Sequence, residues 1–171
     1  RLSLVGSEMC IRDSVSAKGL FRTMAEAAWA CADPGIQYDD TINDWHTNPE
    51  TGRINASNPC SEYMSLDNSS CNLASLNLMT FLKEDGTFDA ARFAKSVEFV
   101  ITAMDISISF ADFPTEAIGD TTRRHRQLGI GYANLGALLM ATGLPYDSDA
   151  GRSFAAAITS LMTGTAYKRS A

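Results

Sequence analysis

Ser57-Asn58-Pro59-Cys60-Ser61-Glu62-Tyr63-Met64-Ser65-Leu66-Asp67-Asn68-Ser69-Ser70-Cys71-Asn72-Leu73-Ala74-Ser75-Leu76-Asn77-Leu78 (57–78) sets an amide, a thiol and a carboxylate at alternate positions around one proline. Proline lacks an amide hydrogen and biases the residue before it, Asn58, towards an extended backbone. In an extended run side chains alternate, so Asn58, Cys60 and Glu62 are expected to project to the same side. A nucleophilic cysteine wants a histidine, a cation or a helix N-terminus beside it. Here the neighbour is a carboxylate, which disfavours the thiolate. A thiol kept protonated suits hydrogen-atom transfer better than nucleophilic attack. Glu62 can then act as a base towards a hydroxyl, and Asn58 can orient that hydroxyl. The same spacing also fits a buried thiol in a turn flanked by surface residues.

Outward from this stretch the chain reads mostly as helix. Upstream, Leu20, Met24, Ala28 and Cys31 recur at helical spacing until Asp33-Pro34-Gly35 ends the run, and Cys31 is expected as a packed core thiol. A short strand is expected at Ile36 to Tyr38, then a polar loop containing Asp44 and His46, with a turn at Asn48-Pro49-Glu50-Thr51-Gly52. Residues 58–81 read as extended or irregular, with Leu73, Leu76, Leu78 and Phe81 as their apolar content, and Asp85-Gly86 as a turn. A long helix starts at an Asp89 cap, with Phe93, Val97, Val100, Met104 and Ile108 on one face and Pro114 at or beyond its end. Arg126 to Thr142 is expected as a further helix, with Leu128, Tyr132, Leu135 and Leu139 aligned. Its Gly129, Gly131 and Gly136 do not match the dinucleotide fingerprint and are assigned to close helix packing. A last helix begins near Ser148, with Phe154, Ile158 and Leu161 inward.

The 171 residues suffice for one domain with a sizeable core. A net charge of −6 argues against nucleic acid as a partner, because phosphate binding wants a basic face. No apolar run approaches the roughly 20 residues that span a bilayer, so no membrane partner is expected and the setting is read as cytoplasmic. The cysteines, Cys10, Cys31, Cys60 and Cys71, form no C-x-x-C pair and have few histidines to assist them, so neither a disulfide framework nor a metal site is expected. No initiator methionine opens the chain, and Ala171 falls inside what reads as a helix, so an internal piece of a longer protein is expected. Residues 1–14 are similar to translated sequencing-adaptor sequence, or else form a weakly ordered terminus, and residues 15–171 are read as the domain proper.

Asn58-Pro59-Cys60-Ser61-Glu62, followed by Ser70-Cys71-Asn72-Leu73-Ala74-Ser75-Leu76-Asn77-Leu78, closely resembles the active-site stretch of ribonucleotide reductase large subunits. The step of eleven from Cys60 to Cys71 resembles the adenosylcobalamin-dependent (class II) branch. Diiron-type (class I) chains usually carry a longer insert and another residue at Pro59, and the glycyl-radical (class III) branch lacks the glutamate. Ala32-Asp33-Pro34-Gly35 upstream, and Arg126-Gln127-Leu128-Gly129-Ile130-Gly131 through Pro145-Tyr146-Asp147-Ser148 downstream, extend the resemblance over nearly everything from residue 15 onward.

The resemblance implies an α/β fold, part of a ten-stranded α/β barrel, with Cys60 at the tip of a loop in the barrel centre. It implies that Cys60 becomes a thiyl radical and removes the 3′ hydrogen of a ribonucleotide. Glu62 takes the 3′-hydroxyl proton and Asn58 hydrogen-bonds the sugar hydroxyls. Ser57, Pro59 and Ser61 complete the substrate-binding stretch. Cys71 corresponds to one member of a reducing cysteine pair whose partner lies far upstream, outside this chain. Adenosylcobalamin, a deoxynucleotide effector and a thioredoxin-type reductant are implied for the whole protein, a homodimer is compatible with it, and the piece alone is expected to be inactive. A class I-like large subunit and a non-catalytic helical module are the other readings.

Overall fold

The computed structural model describes residues 14–171. The segment read as adaptor-like, with Cys10, therefore lies outside the described residues apart from Ser14. The chain falls into two compact units, one ending at Asp67 and the other Asn68–Ala171. No helix among the described residues is long and apolar enough to cross a membrane.

The first unit begins with α1 (Ala17–Cys31), capped by the Ser16 hydroxyl, which accepts from Gly19 N at 3.2 Å. No residue of α1 is buried, and Phe21 and Trp29 are exposed. Cys31 is exposed as well, its Sγ donating to Ala27 O at 3.2 Å, so it is not the packed core thiol its spacing suggested. Helical spacing marks an apolar face, but it does not supply anything to cover that face. The expected strand at Ile36 to Tyr38 is absent too. Tyr38 instead occupies the N-cap position of α2 (Asp39–Asp44), a helix formed where a polar loop was expected.

A polar clamp joins α2 to the chain that follows it. Asn43 Nδ2 donates to Ile54 O and Asn43 Oδ1 accepts from Ile54 N, both at 3.0 Å. The side-chain amide thus satisfies both backbone groups of Ile54, the one buried apolar residue described in this unit. Arg53 pairs with Asp39 and Asp40. Beyond this clamp lies a short antiparallel hairpin, β1 (Ala56–Ser57) and β2 (Met64–Ser65), in the register Ala56–Ser65 and Ser57–Met64.

In the second unit β3 (Asn72–Asn77) pairs in parallel with β4 (Leu128–Ala133), from Asn72–Leu128 to Asn77–Ala133. Parallel partners need a long crossover, and α3 (Ala90–Ile108) and α4 (Glu116–His125) supply it. Asp89 caps α3 by accepting from Arg92 N at 2.9 Å, as its sequence suggested. Of the face expected inward, Phe93, Val97, Met104 and Ile108 are buried, and Val100 packs partly buried against the same core. Helix α6 (Asp149–Ser170) starts at a Ser148 cap and sets Ile158 and Met162 against α3, with Phe154 and Leu161 partly buried. Phe81, Phe88, Phe93 and Phe154 meet edge to face or tilted, with centroids 5.1–6.1 Å apart.

The helix expected from Arg126 to Thr142 is instead strand β4 followed by α5 (Leu135–Ala141). Arg126 (φ 51°) and Asn134 (φ 67°) both take the left-handed conformation, which breaks the chain on each side of the strand. Leu128, Ile130 and Tyr132 alternate and pack on the core, while the other face of the sheet carries Cys71, Leu73, Ser75 and Asn77 opposite Gly129, Gly131 and Ala133. Arg126 Nε donates to Asp105 Oδ1 at 2.7 Å, fixing the corner before β4 to α3. That hydrogen bond holds the Asp105 carboxyl below its ordinary range. The pair therefore contributes above about pH 4, and its contribution is lost as the pH falls through the lowered value. Among the described residues the four strands form two separate two-stranded sheets and close no barrel.

Candidate active site

Ser57 ends β1, and Asn58 to Tyr63 make the connection that turns back into β2. Asn58 N donates to Tyr63 O at 3.2 Å, and the Asn58 side-chain oxygen accepts from Tyr63 N at 3.0 Å, so one residue closes the hairpin twice. Ser61 N donates to Asn58 O at 3.0 Å, and Ser61 sits at φ 63°. Pro59 to Glu62 are turn and bend, not the extended run expected. The alternation that was to carry Asn58, Cys60 and Glu62 to one side does not hold there. The physical reason is local: the Asn58 side chain competes for backbone groups, as Asn does in turns.

Ser57 and Asn58 are half-buried, whereas Pro59, Cys60, Ser61 and Glu62 are exposed. The hydrogen bonds described at the turn run to Gln37, Tyr63 and the two serines rather than to a cation or an imidazole. Beside the turn a cleft of about 490 Å³ is lined by Gln37, Tyr38, Trp45, Ile54, Ser61 and Met64 among others. Gln37 was not a candidate from sequence, and no local signal marks it, since its partners lie 20 and 24 residues further on.

Cys71 belongs to the second unit, immediately before β3, and is half-buried. Its neighbours are tied down on both sides. Ser70 N donates to Thr122 Oγ1 at 3.1 Å, and the two hydroxyls lie 2.9 Å apart. Asn72 Nδ2 donates to Met104 O at 2.9 Å and Ser107 Oγ at 2.7 Å, while Asn72 N donates to Gln127 O at 3.1 Å. The run Ser70-Cys71-Asn72 is thus an anchor, a thiol and a second anchor. Across the ladder Gly129 leaves space: a Cβ there would lie 3.2 Å from Cys71 Sγ and 2.5 Å from Leu73 Cδ2. Gly129 thus serves strand approach, not the helix packing assigned to it, and Gly131 lies in the same strand.

Thr122 is 1% exposed, so its hydroxyl is buried with Ser70 as its partner. Thr122→Val keeps the shape and leaves the Ser70 N–H without an acceptor. The chain is expected to lose ~1–3 kcal/mol of stability in chemical denaturation. A loss below about 0.5 kcal/mol, the size of an ordinary surface substitution, would show that Thr122 is not an anchor.

A family model described as the barrel domain of ribonucleotide reductase matches residues 3–171. The vitamin B12-dependent ribonucleotide reductase of Streptomyces coelicolor is 77% identical over 163 residues, covering 93% of this chain and 17% of that protein. The protein of the same name from Rhodopirellula baltica is 52% identical over 158 residues, covering 92% and 15%. The vitamin B12-dependent ribonucleoside-diphosphate reductase of Mycobacterium tuberculosis is 39% identical over 130 residues, covering 76% and 19%. The chain spans 13–20% of the length of the curated relatives it matches.

Proposed function

This chain belongs to the ribonucleotide reductase family, in its barrel domain, and we propose that it carries the radical cysteine and one reducing cysteine of an adenosylcobalamin-dependent enzyme that converts ribonucleotides to 2′-deoxyribonucleotides. The observation that carries this reading is the setting of Cys60. It is an exposed thiol in a tight turn between Asn58 and Glu62, with no hydrogen bond described there from a base or cation that would make it a nucleophile.

Adenosylcobalamin, when bound, supplies the initiating radical, and its binding residues lie mostly outside this chain. An exposed sulfur in a turn fits the part of hydrogen-atom donor to a radical that arises elsewhere. Cys60 then removes the 3′ hydrogen of the ribose. The Glu62 carboxylate takes the 3′-hydroxyl proton, and Asn58 donates through its side-chain NH2, since its oxygen is already engaged by Tyr63. Ser57, Pro59 and Ser61 shape the same turn against the sugar. Water leaves from C2′, and Cys71 and its upstream partner give up two electrons and two protons and become a disulfide. The hydrogen held by Cys60 then returns to C3′ and the proton held by Glu62 to the 3′ oxygen, so ribonucleotide and dithiol become deoxyribonucleotide, disulfide and water.

The full-length protein is proposed to complete a ten-stranded α/β barrel. The β3–β4 sheet supports this: α3 covers one face, while the other leaves Leu73 68% exposed beside small residues. A closed barrel also keeps a thiyl radical from water and stray reductants. A deoxynucleotide effector, a thioredoxin-type reductant, a homodimeric assembly and a cytoplasmic setting go with the same reading. Residues 15–171 form the partial catalytic domain in it, and residues 1–14 are proposed to be foreign to it.

The test is a comparison of two proteins in one assay. Given adenosylcobalamin, a ribonucleotide and a thioredoxin-type reductant, the full-length protein is expected to form deoxyribonucleotide, and the 171-residue chain none. Full activity without the cobalamin would overturn the cofactor assignment. Product from the 171 residues alone would show that the upstream cysteine is not required.

A further inference from the structure

We propose that Gln37 is a positioning residue for Cys60: its side-chain amide braces the turn that presents the sulfur to the ribose. The proposal rests on the reading of Cys60 as the radical cysteine. Gln37 Nε2 donates to Ser57 Oγ and to Ser61 Oγ, both at 3.0 Å. These two hydroxyls stand on either side of Cys60, one at the end of β1 and one between Cys60 and Glu62. Ser57 Oγ in turn donates to Asn58 O at 2.8 Å, the same carbonyl that accepts from Ser61 N. The two hydrogens of one NH2 group thus hold both ends of the turn, and the serine hydroxyls pass that restraint to the backbone.

Two further features make the brace specific. Ser61 has φ 63°, a left-handed conformation that residues with a Cβ seldom adopt, so something must hold it. Gln37 itself is delivered by the clamp between α2 and the chain entering β1, through the Asn43–Ile54 bonds and the Arg53–Asp39 pair. The chemistry also selects an amide. Glutamate has the same shape but no hydrogen to give, and the Ser57 hydroxyl, turned towards it, would have to abandon the Asn58 carbonyl.

The test uses the full-length protein with Gln37→Glu and Gln37→Leu. Displacing the sulfur by a fraction of an ångström slows hydrogen-atom transfer more than it weakens nucleotide binding by the same turn. The expected result is a fall in kcat of about tenfold to a hundredfold, with a smaller change in KM for the nucleotide. The isotope effect on kcat with 3′-deuterated ribonucleotide should rise, because the transfer becomes more nearly rate-limiting. A merely structural role would not move that effect. Ser61→Ala removes one of the two acceptors, so it should cause a smaller loss that does not add to that of Gln37→Leu. It also keeps the test open if Gln37→Leu fails to fold. Wild-type kcat and isotope effect in the Gln37 variants, beside an inactive Cys60→Ser, would overturn the role of Gln37 alone. Turnover retained in Cys60→Ser would overturn the assignment of the site itself.

Discussion

Replacing Cys60 by serine in the full-length protein is expected to abolish deoxyribonucleotide formation, with a loss of at least about a thousandfold in kcat. A serine hydroxyl preserves size and hydrogen bonding, so a thiol serving only as a small polar group would be replaced with little penalty. An O–H bond is much harder to cleave homolytically than S–H, so a serine cannot take over a radical's work. The fold should not notice the change. Cys60 is exposed, and its sulfur takes part in none of the hydrogen bonds described at the turn. Stability should therefore stay within about 0.5 kcal/mol of wild type. Nucleotide reduction and thermal melting, measured on the same preparation, separate chemistry from folding. Activity retained above about a tenth of wild type, a drop of only about 1.4 kcal/mol in transition-state stabilisation, would remove the radical assignment.

The long helices were legible because three independent signals agreed on them. Asp89 and Ser148 are capping residues, apolar residues follow at helical spacing, and those residues find a common core. Strand β4 was misread because its sequence satisfies two periods at once. Leu128, Tyr132, Leu135 and Leu139 fit a helix, while Leu128, Ile130 and Tyr132 fit a strand. The choice was made by pairing with β3, whose register no local window contains. Cys31 shows the opposite failure, an amphipathic face correctly spaced but with no residue of α1 buried.

The site divides in the same way. Asn58, Cys60 and Glu62 were singled out by residue type and spacing together with the resemblance, Cys71 by the resemblance, and their roles are proposals. The geometry of the turn was not legible. The proline rule speaks only of Asn58, and from Pro59 to Glu62 the chain turns, closed by the Asn58 side chain and the left-handed Ser61, instead of running on extended. Gln37 and Thr122 were invisible for a related reason. A polar residue that braces a distant loop carries no mark in its own neighbourhood, and only the fold brings Gln37 to Ser61 or Thr122 to Ser70.

Cys71→Ser should leave the full-length protein unable to form deoxyribonucleotide with a thioredoxin-type dithiol as reductant, because the two electrons of each turnover come from the Cys71 pair and one thiol cannot form the disulfide. The residues around Cys71 allow a finer version of this test. Ser70 and Asn72 are each fixed by side-chain hydrogen bonds, so the intervening backbone has little freedom to shift the sulfur. On the open face of the sheet Gly129 leaves the space next to it. In Gly129→Ala the new Cβ meets Leu73 Cδ2 at 2.5 Å and Cys71 Sγ at 3.2 Å. Leu73 is 68% exposed and can swing away, whereas the sulfur must give by a few tenths of an ångström. Pairing of Cys71 with its upstream partner should then slow, and multiple turnover should fall by about tenfold. The first turnover of prereduced enzyme should suffer less than the later ones, because only re-reduction repeats the exchange. Gly131→Ala is the control on the same strand, since its Cβ meets nothing closer than Ser75 Oγ at 3.8 Å, and it should stay near wild type. Sustained thioredoxin-driven turnover in Cys71→Ser would exclude Cys71 from the pair. Equal losses in the two alanine variants would point to the sheet as a whole and not to the space beside the sulfur.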